Sequence, residues 1–328
     1  METPVKATES AEKSYRPLFH GAGGELLYIK ITNAIFMVLT VGFYFPWARL
    51  RNYRFFWTNT AFGGSRFRFT GTAGEIFRGY IKVLAFLALF FFGPQLFILL
   101  DPIAVGVATV VLYILAAYLY QFAFFASRRY RYSRTTLREI RFHLDGSAKE
   151  FTNRAFLYLV GAMLSFYILL PRYLHYRWEY IFNRLQFGNV RFAFDGDRKK
   201  FWPMAFWGQW AVLFTLGIYS FWYLPKLFNY WVNHLSATDG EGNTSRFTAD
   251  VRPGAFFKLK IGNFFLIVLT LGLGSAWANV RNLRFYMNHI ELRGTLDLDQ
   301  AIQVALQAAS AGGDLLGGQL DVGADLAI

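Results

Sequence analysis

The chain has 328 residues, 55% of them hydrophobic and 20% aromatic, and only 17% charged. This is too apolar and too poor in charge for an ordinary water-soluble enzyme, so a bilayer is the expected solvent. The net charge is +13 and cysteine is absent, which excludes disulfides, thiolate metal sites and cysteine nucleophiles.

Met1 to Pro17 is polar and lacks the apolar core of a cleaved signal peptide, so residues 1–18 are read as a polar N-terminal segment. Gly21-Ala22-Gly23-Gly24 follows, without a preceding strand or a lysine partner, and reads as an entry to the first helix more than as an anion-holding loop. Uncharged runs long enough to approach or cross about 30 Å of hydrocarbon then occur at Ile31 to Ala48, Val83 to Leu100, Ile103 to Ala126, Ala155 to Leu170, Phe201 to Pro225 and Ile261 to Val280. Gly93-Pro94 and Asp101-Pro102 predict a tight turn between the second and third runs. The expected fold class is therefore mainly α: a polytopic helical membrane protein of degenerate repeats, with about six transmembrane helices and short β-strand links at the membrane surface.

The repeat is visible in the residues. Thr40-Val41-Gly42-Phe43-Tyr44-Phe45-Pro46-Trp47 returns as Thr215-Leu216-Gly217-Ile218-Tyr219-Ser220-Phe221-Trp222 and as Thr270-Leu271-Gly272-Leu273-Gly274-Ser275-Ala276-Trp277. Short alternating strands recur at Arg66-Phe67-Arg68-Phe69, Arg141-Phe142-His143-Leu144, Arg191-Phe192-Ala193-Phe194 and Arg246-Phe247. Reading from strand to strand divides residues 19–296 into units of about 19–71, 69–146, 142–196, 194–249 and 247–294. If each run crosses once, the basic loops and the strands are shared between the two faces, and charge counting assigns no orientation. If each unit is instead a hairpin, with second arms such as Trp47 to Phe62 or Ala276 to Ile290, the strands share one side, but Arg49, Arg51 and Arg54 must face protein, water or headgroups. Six spans are the expected count, with orientation left open. From Asp297 onward come five aspartates and no lysine or arginine, so residues 297–328 read as an acidic, glycine-rich tail, with an amphipathic helix over Leu298 to Ala309.

No phosphate loop, paired metal-ligand histidines or nucleophile elbow occurs, and the five histidines lie in different units. No catalytic residue, metal or cofactor is assigned. The polar residues that recur after the breaks are Arg51, Arg54 and Asn59 in the first unit, Arg177 and Asn183 in the third, and Arg281, Arg284 and Asn288 in the fifth. They are candidates for a polar path or for lipid contact. Asn33 and Asn263 lie inside apolar first arms and are candidates for contacts between helices. The basic residues sit beside apolar runs and form no separate domain, which favours anionic headgroups over nucleic acid as a partner; a protein partner or a homo-oligomer stays open.

The combination of His20-Gly21-x-Gly23-Gly24-Glu25-Leu26, Asn33, the break at 40–47, Arg51-x-x-Arg54, Asn59-Thr60 and Arg66-Phe67-x-Phe69-x-Gly71 resembles the bacterial YjgN family of uncharacterised multi-pass inner-membrane proteins. The likeness covers about residues 15–295. It implies an inner-membrane location and carries over no catalytic residues. The third break departs from the pattern, with Gly274 where tyrosine stands in the other two. The expected function is that of a non-enzymatic envelope protein binding anionic lipid or a protein partner; the alternative is a transporter or channel for a small, anionic solute along the repeated Arg and Asn positions.

Overall fold

A computed structural model describes residues 13–93, 95 and 102–299. One element order, strand, helix, helix, strand, recurs five times along it. The first group is β2 (Leu18–Phe19), α1 (Gly23–Leu39), α2 (Phe45–Thr58) and β3 (Thr60–Phe62), preceded by β1 (Lys13–Tyr15). The second is β4 (Ser65–Phe69), α3 (Ala73–Phe92), α4 (Pro102–Ser133) and β5 (Thr135–Leu137). Next come β6 (Ile140–Leu144), α5 (Ala148–Leu164), α6 (Leu170–Phe182) and β7 (Leu185–Phe187). The fourth is β8 (Val190–Phe194), α7 (Arg198–Phe214), α8 (Ser220–Asn233) and β9 (Leu235–Thr238), and the last is β10 (Thr244–Ala249), α9 (Pro253–Leu269), α10 (Ser275–Asn288) and β11 (Ile290–Gly294).

The helix starts have local causes. Thr72 and Glu75 form a reciprocal capping box on α3, and the Ser147 and Asp197 side chains accept backbone N–H bonds at the starts of α5 and α7. Proline occupies the first turn of α2, α6 and α9, where its missing N–H costs nothing.

All the described strands join one antiparallel sheet in the order β1-β11-β10-β9-β8-β7-β6-β5-β4-β3-β2. Because directions alternate, β4, β6, β8 and β10 run the same way, and each feeds a helix pair at the same end of the sheet. The strand-to-strand turns at residues 63–64, 138–139, 188–189 and 239–243 lie at the other end. By the same alternation the two edge strands, β1 and β2, run in parallel, and only Arg16 and Pro17 separate them. A two-residue link cannot bridge the edges of an open eleven-stranded sheet, so the sheet curls until its edges meet. Residues 13–19 form a seam whose first half pairs with β11 and whose second half pairs with β3. Proline at the joint, which cannot donate to a ladder, divides the two halves. The helices follow the same circle: successive helices pack together from α1 to α3 and from α4 to α10, α3 meets α4 through the Phe90 and Tyr113 rings, and α10 returns to α1, where a Cβ on Gly23 would overlap the Trp277 ring.

Strand register sorts the two faces. Phe67 lies opposite Leu137, Phe142 opposite Phe187, Phe192 opposite Ala237 and Phe247 opposite Leu292, and all face inward. Leu296 and Leu298, just past β11, are buried among them. The Leu296 N–H donates to Ser245 Oγ and the Leu298 N–H to Tyr15 Oη, which holds this stretch in the curl.

The expected six-span fold is corrected by this arrangement. Four of the six apolar runs do not continue as single helices: Ile31 to Ala48, Ala155 to Leu170, Phe201 to Pro225 and Ile261 to Val280 each reverse in mid-run. The cause is backbone geometry. Val41, Leu216 and Leu271 each have φ of 49°, and the following Gly42, Gly217 and Gly272 have φ of 89°, 91° and 93°, so the Gly-aromatic break turns the chain back on itself. Among the described residues one helical stretch, Ile103–Ser133, is long and apolar enough to cross a membrane. The turn expected at Gly93-Pro94 and Asp101-Pro102 falls largely outside the described residues, as do residues 1–12 and the tail beyond Asp299.

Candidate functional site

The recurring polar residues occupy three settings. In the first, within a hairpin, Arg51 Nη1 on α2 donates to Thr32 Oγ1 (3.2 Å), Tyr44 Oη (3.3 Å) and Asn33 Oδ1 (3.5 Å). Asn33 Nδ2 donates to the Ala48 carbonyl at 3.4 Å. In the last hairpin Asn263 Nδ2 and Lys260 Nζ both donate to Asn282 Oδ1, at 3.1 and 3.2 Å, and Arg281 lies against Gly262. Asn33 and Asn263 thus bond to the second arm of their own hairpin. Arg51 and Arg281 likewise stay against their own first arms.

The second setting is the junction between neighbouring groups. Arg54 Nη2 donates to the Gly71 carbonyl (3.5 Å), Arg129 Nη2 to Gly146 (2.5 Å), Asn229 Nδ2 to Val251 (3.1 Å) and Arg284 Nη2 to Gly21 (3.2 Å), while His175 Nε2 lies 3.0 Å from the Gly196 carbonyl. These five carbonyls are equivalent, two residues past the last residue of β2, β4, β6, β8 and β10. A polar side chain from the second helix of one group therefore holds the entry to a helix hairpin at each junction, and Arg284 closes the circle from the last group to the first. The asparagines at helix ends serve the strands: Asn183 Oδ1 accepts from the Phe194 N–H, Asn233 brackets Ala249, and Asn59 caps its own helix through Phe55 O. Asn288 lines a cleft beside Arg16, Asn233 and Glu291. Arg177 donates to Tyr173 Oη at 2.6 Å and its guanidinium lies 3.5 Å over the Phe124 ring.

The third setting is the outer face of the sheet, which sequence reading did not single out. Arg68 lies opposite Thr136, which lies opposite Arg141, and Arg66 is two residues before Arg68 on the same face. With Thr70, Arg138 and Glu139 they line an open cleft of about 380 Å³. Among the described residues no carboxylate lies within ion-pair reach of Arg66, Arg68 or Arg141, whereas Arg138 bonds Asp299, Ser65 and the Gly63 carbonyl. The signal was in the Arg-Phe-x-Phe alternation, which puts arginine on the face opposite phenylalanine. Elsewhere on this face Arg246 pairs with Asp195 at 2.8 Å and Arg293 with Glu291 at 2.6 Å, while Arg191 on β8 has no carboxylate within ion-pair reach among the described residues. Hydrogen bonds from Arg293, Ser14 and Arg16 hold the Glu291 carboxyl down to about 2.

A curled antiparallel sheet with an arginine-rich outer face, carrying apolar-tipped helical hairpins at one end, defines the class of this protein. The chain belongs to the family described as "Bacterial protein of unknown function (DUF898)", whose profile matches residues 14–225 and 210–318. It is similar to the Inner membrane protein YjgN of Escherichia coli (strain K12), with 29% identity over 141 residues, and to that of Escherichia coli O157:H7, with 30% identity over 139 residues. Each match takes in 42% of this chain but only 33% and 32%, respectively, of the relative. The YjgN resemblance read from the residues is thus shown. No solved structure matches the chain.

Proposed function

We propose that the protein is a non-enzymatic inner-membrane protein that binds anionic lipid headgroups on the arginine face of its sheet. The observation that carries the reading is the set Arg66, Arg68 and Arg141, placed side by side by strand pairing, without carboxylate partners among the described residues and around an open cleft. An unpaired guanidinium is suited to a phosphate, which it binds through two parallel N–H bonds. The inner membrane is the location that the names of the relatives carry. A crossing by α4 supports a multi-pass reading, because β4 and β5 are adjacent strands: if residues 102–133 cross, the stretch between β4 and α4 must cross too.

The test is calorimetric titration of the solubilised full chain with a short-chain phosphatidylglycerol and, separately, with its phosphatidylcholine counterpart. Each arginine near an anionic headgroup contributes about 1 kcal/mol. The Arg66→Gln/Arg68→Gln/Arg141→Gln variant is therefore expected to bind phosphatidylglycerol on the order of a hundredfold more weakly, with no change towards phosphatidylcholine. Equal binding of phosphatidylglycerol by variant and wild type would overturn the reading.

A further inference from the structure

The tips of four hairpins share a construction that water does not require. In the first, the Val41 N–H donates to Val38 O (3.1 Å), Gly42 to Met37 O (2.8 Å), Phe43 to Thr40 O (3.0 Å) and Phe45 to Gly42 O (3.1 Å), while Tyr44 donates to the Thr40 side-chain oxygen (2.9 Å). The Thr40 hydroxyl proton goes back to Phe36 O at 2.7 Å. Every N–H through the reversal is satisfied from within the turn. The same pattern is built on Ser165 with Leu169, on Thr215 with Tyr219 and on Thr270 with Gly274, where the hydroxyl accepts the N–H at 3.1, 2.9 and 2.6 Å. In solvent a turn leaves such groups to water; in hydrocarbon each unsatisfied one costs several kcal/mol.

The side chains that protrude furthest at these tips are apolar. Val41, Phe166, Leu216 and Leu271 are 89%, 82%, 94% and 95% exposed, and Leu39, Leu164, Phe214 and Leu269 beside them are also exposed. Val41, Phe166, Leu216 and Leu271 each sit at a position of positive φ, where a soluble turn would use glycine or asparagine. On the first arms Lys30 and Lys260 lie ten residues before the tip hydroxyl of their hairpins; on the second arms Arg51, Lys226 and Arg281 lie eleven residues after theirs, and Arg49 lies nine after Thr40, donating to Tyr53 one turn further from the tip. At 1.5 Å per residue the charge-free length of the first arms is about 15 Å, half of a hydrocarbon core of about 30 Å; the second-arm helices begin at Phe45, Ser220 and Ser275, so Arg51, Lys226 and Arg281 lie about 9 Å along them. In the third hairpin Arg172 comes sooner, but its guanidinium lies over Tyr158 on α5, a direction that lets a long side chain reach towards headgroups. Trp47, Trp222 and Trp277 are exposed at equivalent positions, seven residues past the tip hydroxyl.

The geometry points to a membrane-docking surface made by these four tips, which enter one leaflet from the side of the sheet and stop near the bilayer midplane without crossing. The occupant around them is lipid hydrocarbon. This inference does not rest on the arginine face, since insertion depth is independent of headgroup charge.

The cysteine-free chain allows a direct test. Val41→Cys, Leu216→Cys and Leu271→Cys, with Leu39→Cys and Leu269→Cys as neighbours outside the strained turn position, are each placed in the full chain and reconstituted in phosphatidylcholine vesicles. Asn189→Cys marks the sheet side. The expected result is that a membrane-impermeant maleimide labels Asn189→Cys from one side and the tip cysteines from neither. A nitroxide at each tip should then collide freely with oxygen and poorly with a water-soluble nickel chelate, at a depth of about 10–15 Å. Labelling of a tip from the side opposite Asn189 would show a crossing and overturn the inference. Labelling from the same side would place the tip in water, and shielding from both oxygen and nickel would mean that protein covers it; either result overturns it as well.

Discussion

One hydroxyl closes each of the four described tips, accepting an N–H and donating to a carbonyl of the preceding turn. Thr215→Val keeps the shape but leaves the Tyr219 N–H without its acceptor, so it is expected to destabilise the protein by about 1–3 kcal/mol, read as a fall in midpoint on chemical unfolding in detergent. A second residue-scale constraint lies at the strand exits. The rings of Phe69 and Phe194 fold over Gly71 and Gly196, and a Cβ at either glycine would also press on a tyrosine hydroxyl, Tyr130 or Tyr230. Gly71→Ala and Gly196→Ala are expected to cost about 1–3 kcal/mol by overpacking, measured in the same way. At this scale the sequence is only partly legible. The Thr-x-Gly breaks at 40, 215 and 270 are plain, but the fourth copy is hidden because Ser165 replaces threonine and Tyr167, at φ 66°, stands where the others have glycine.

Between elements, the five strand-exit carbonyls are held by three different chemistries: arginine at Gly71, Gly146 and Gly21, asparagine at Val251 and histidine at Gly196. Arg284→Met should loosen the packing of α10 on α1 and cost about 1.5–3 kcal/mol, the range for a hydrogen bond to a charged group. The check is hydrogen exchange, which should rise at the start of α1 and leave α5 and α6 unchanged. Helix periodicity places Arg51 and Arg54 close together on α2, yet their partners lie in different groups, one in its own hairpin and the other past β4. A sequence shows which residues recur, but not that a carbonyl contributed by the neighbouring group is what they hold. The same limit explains the six-span reading: an uncharged run of about twenty residues has the same composition whether it continues or doubles back, and the distinction lies in φ at one or two positions.

For the molecule as a whole, closure depends on the seam. Glu291 on β11 accepts hydrogen bonds from Ser14 and Arg16, which flank the end of β1, as well as from Arg293. Because its folded carboxyl is held down to about 2 against an ordinary 4.5, the stabilisation is present above about pH 4.5 and is lost as pH falls towards 2. The melting temperature should therefore drop over that window in the wild type, and less steeply in Glu291→Gln. Deleting residues 13–16 should leave the β11 edge unpaired and promote association through it, visible as concentration-dependent oligomers on size exclusion.

The seam also imposes an order in time. Tyr15 pairs with Leu292, and the Ser14–Glu291 contact spans 277 positions of sequence, whereas every other strand finds partners within its own or an adjoining group. During synthesis at about 5–20 residues per second, β1 leaves the ribosome on the order of tens of seconds before β11 exists. Four groups can form and stack in that interval as an open arc, with their hairpins already meeting lipid. β1 is thus the last of the described strands to be fully paired, and the circle becomes a circle only when β11 arrives.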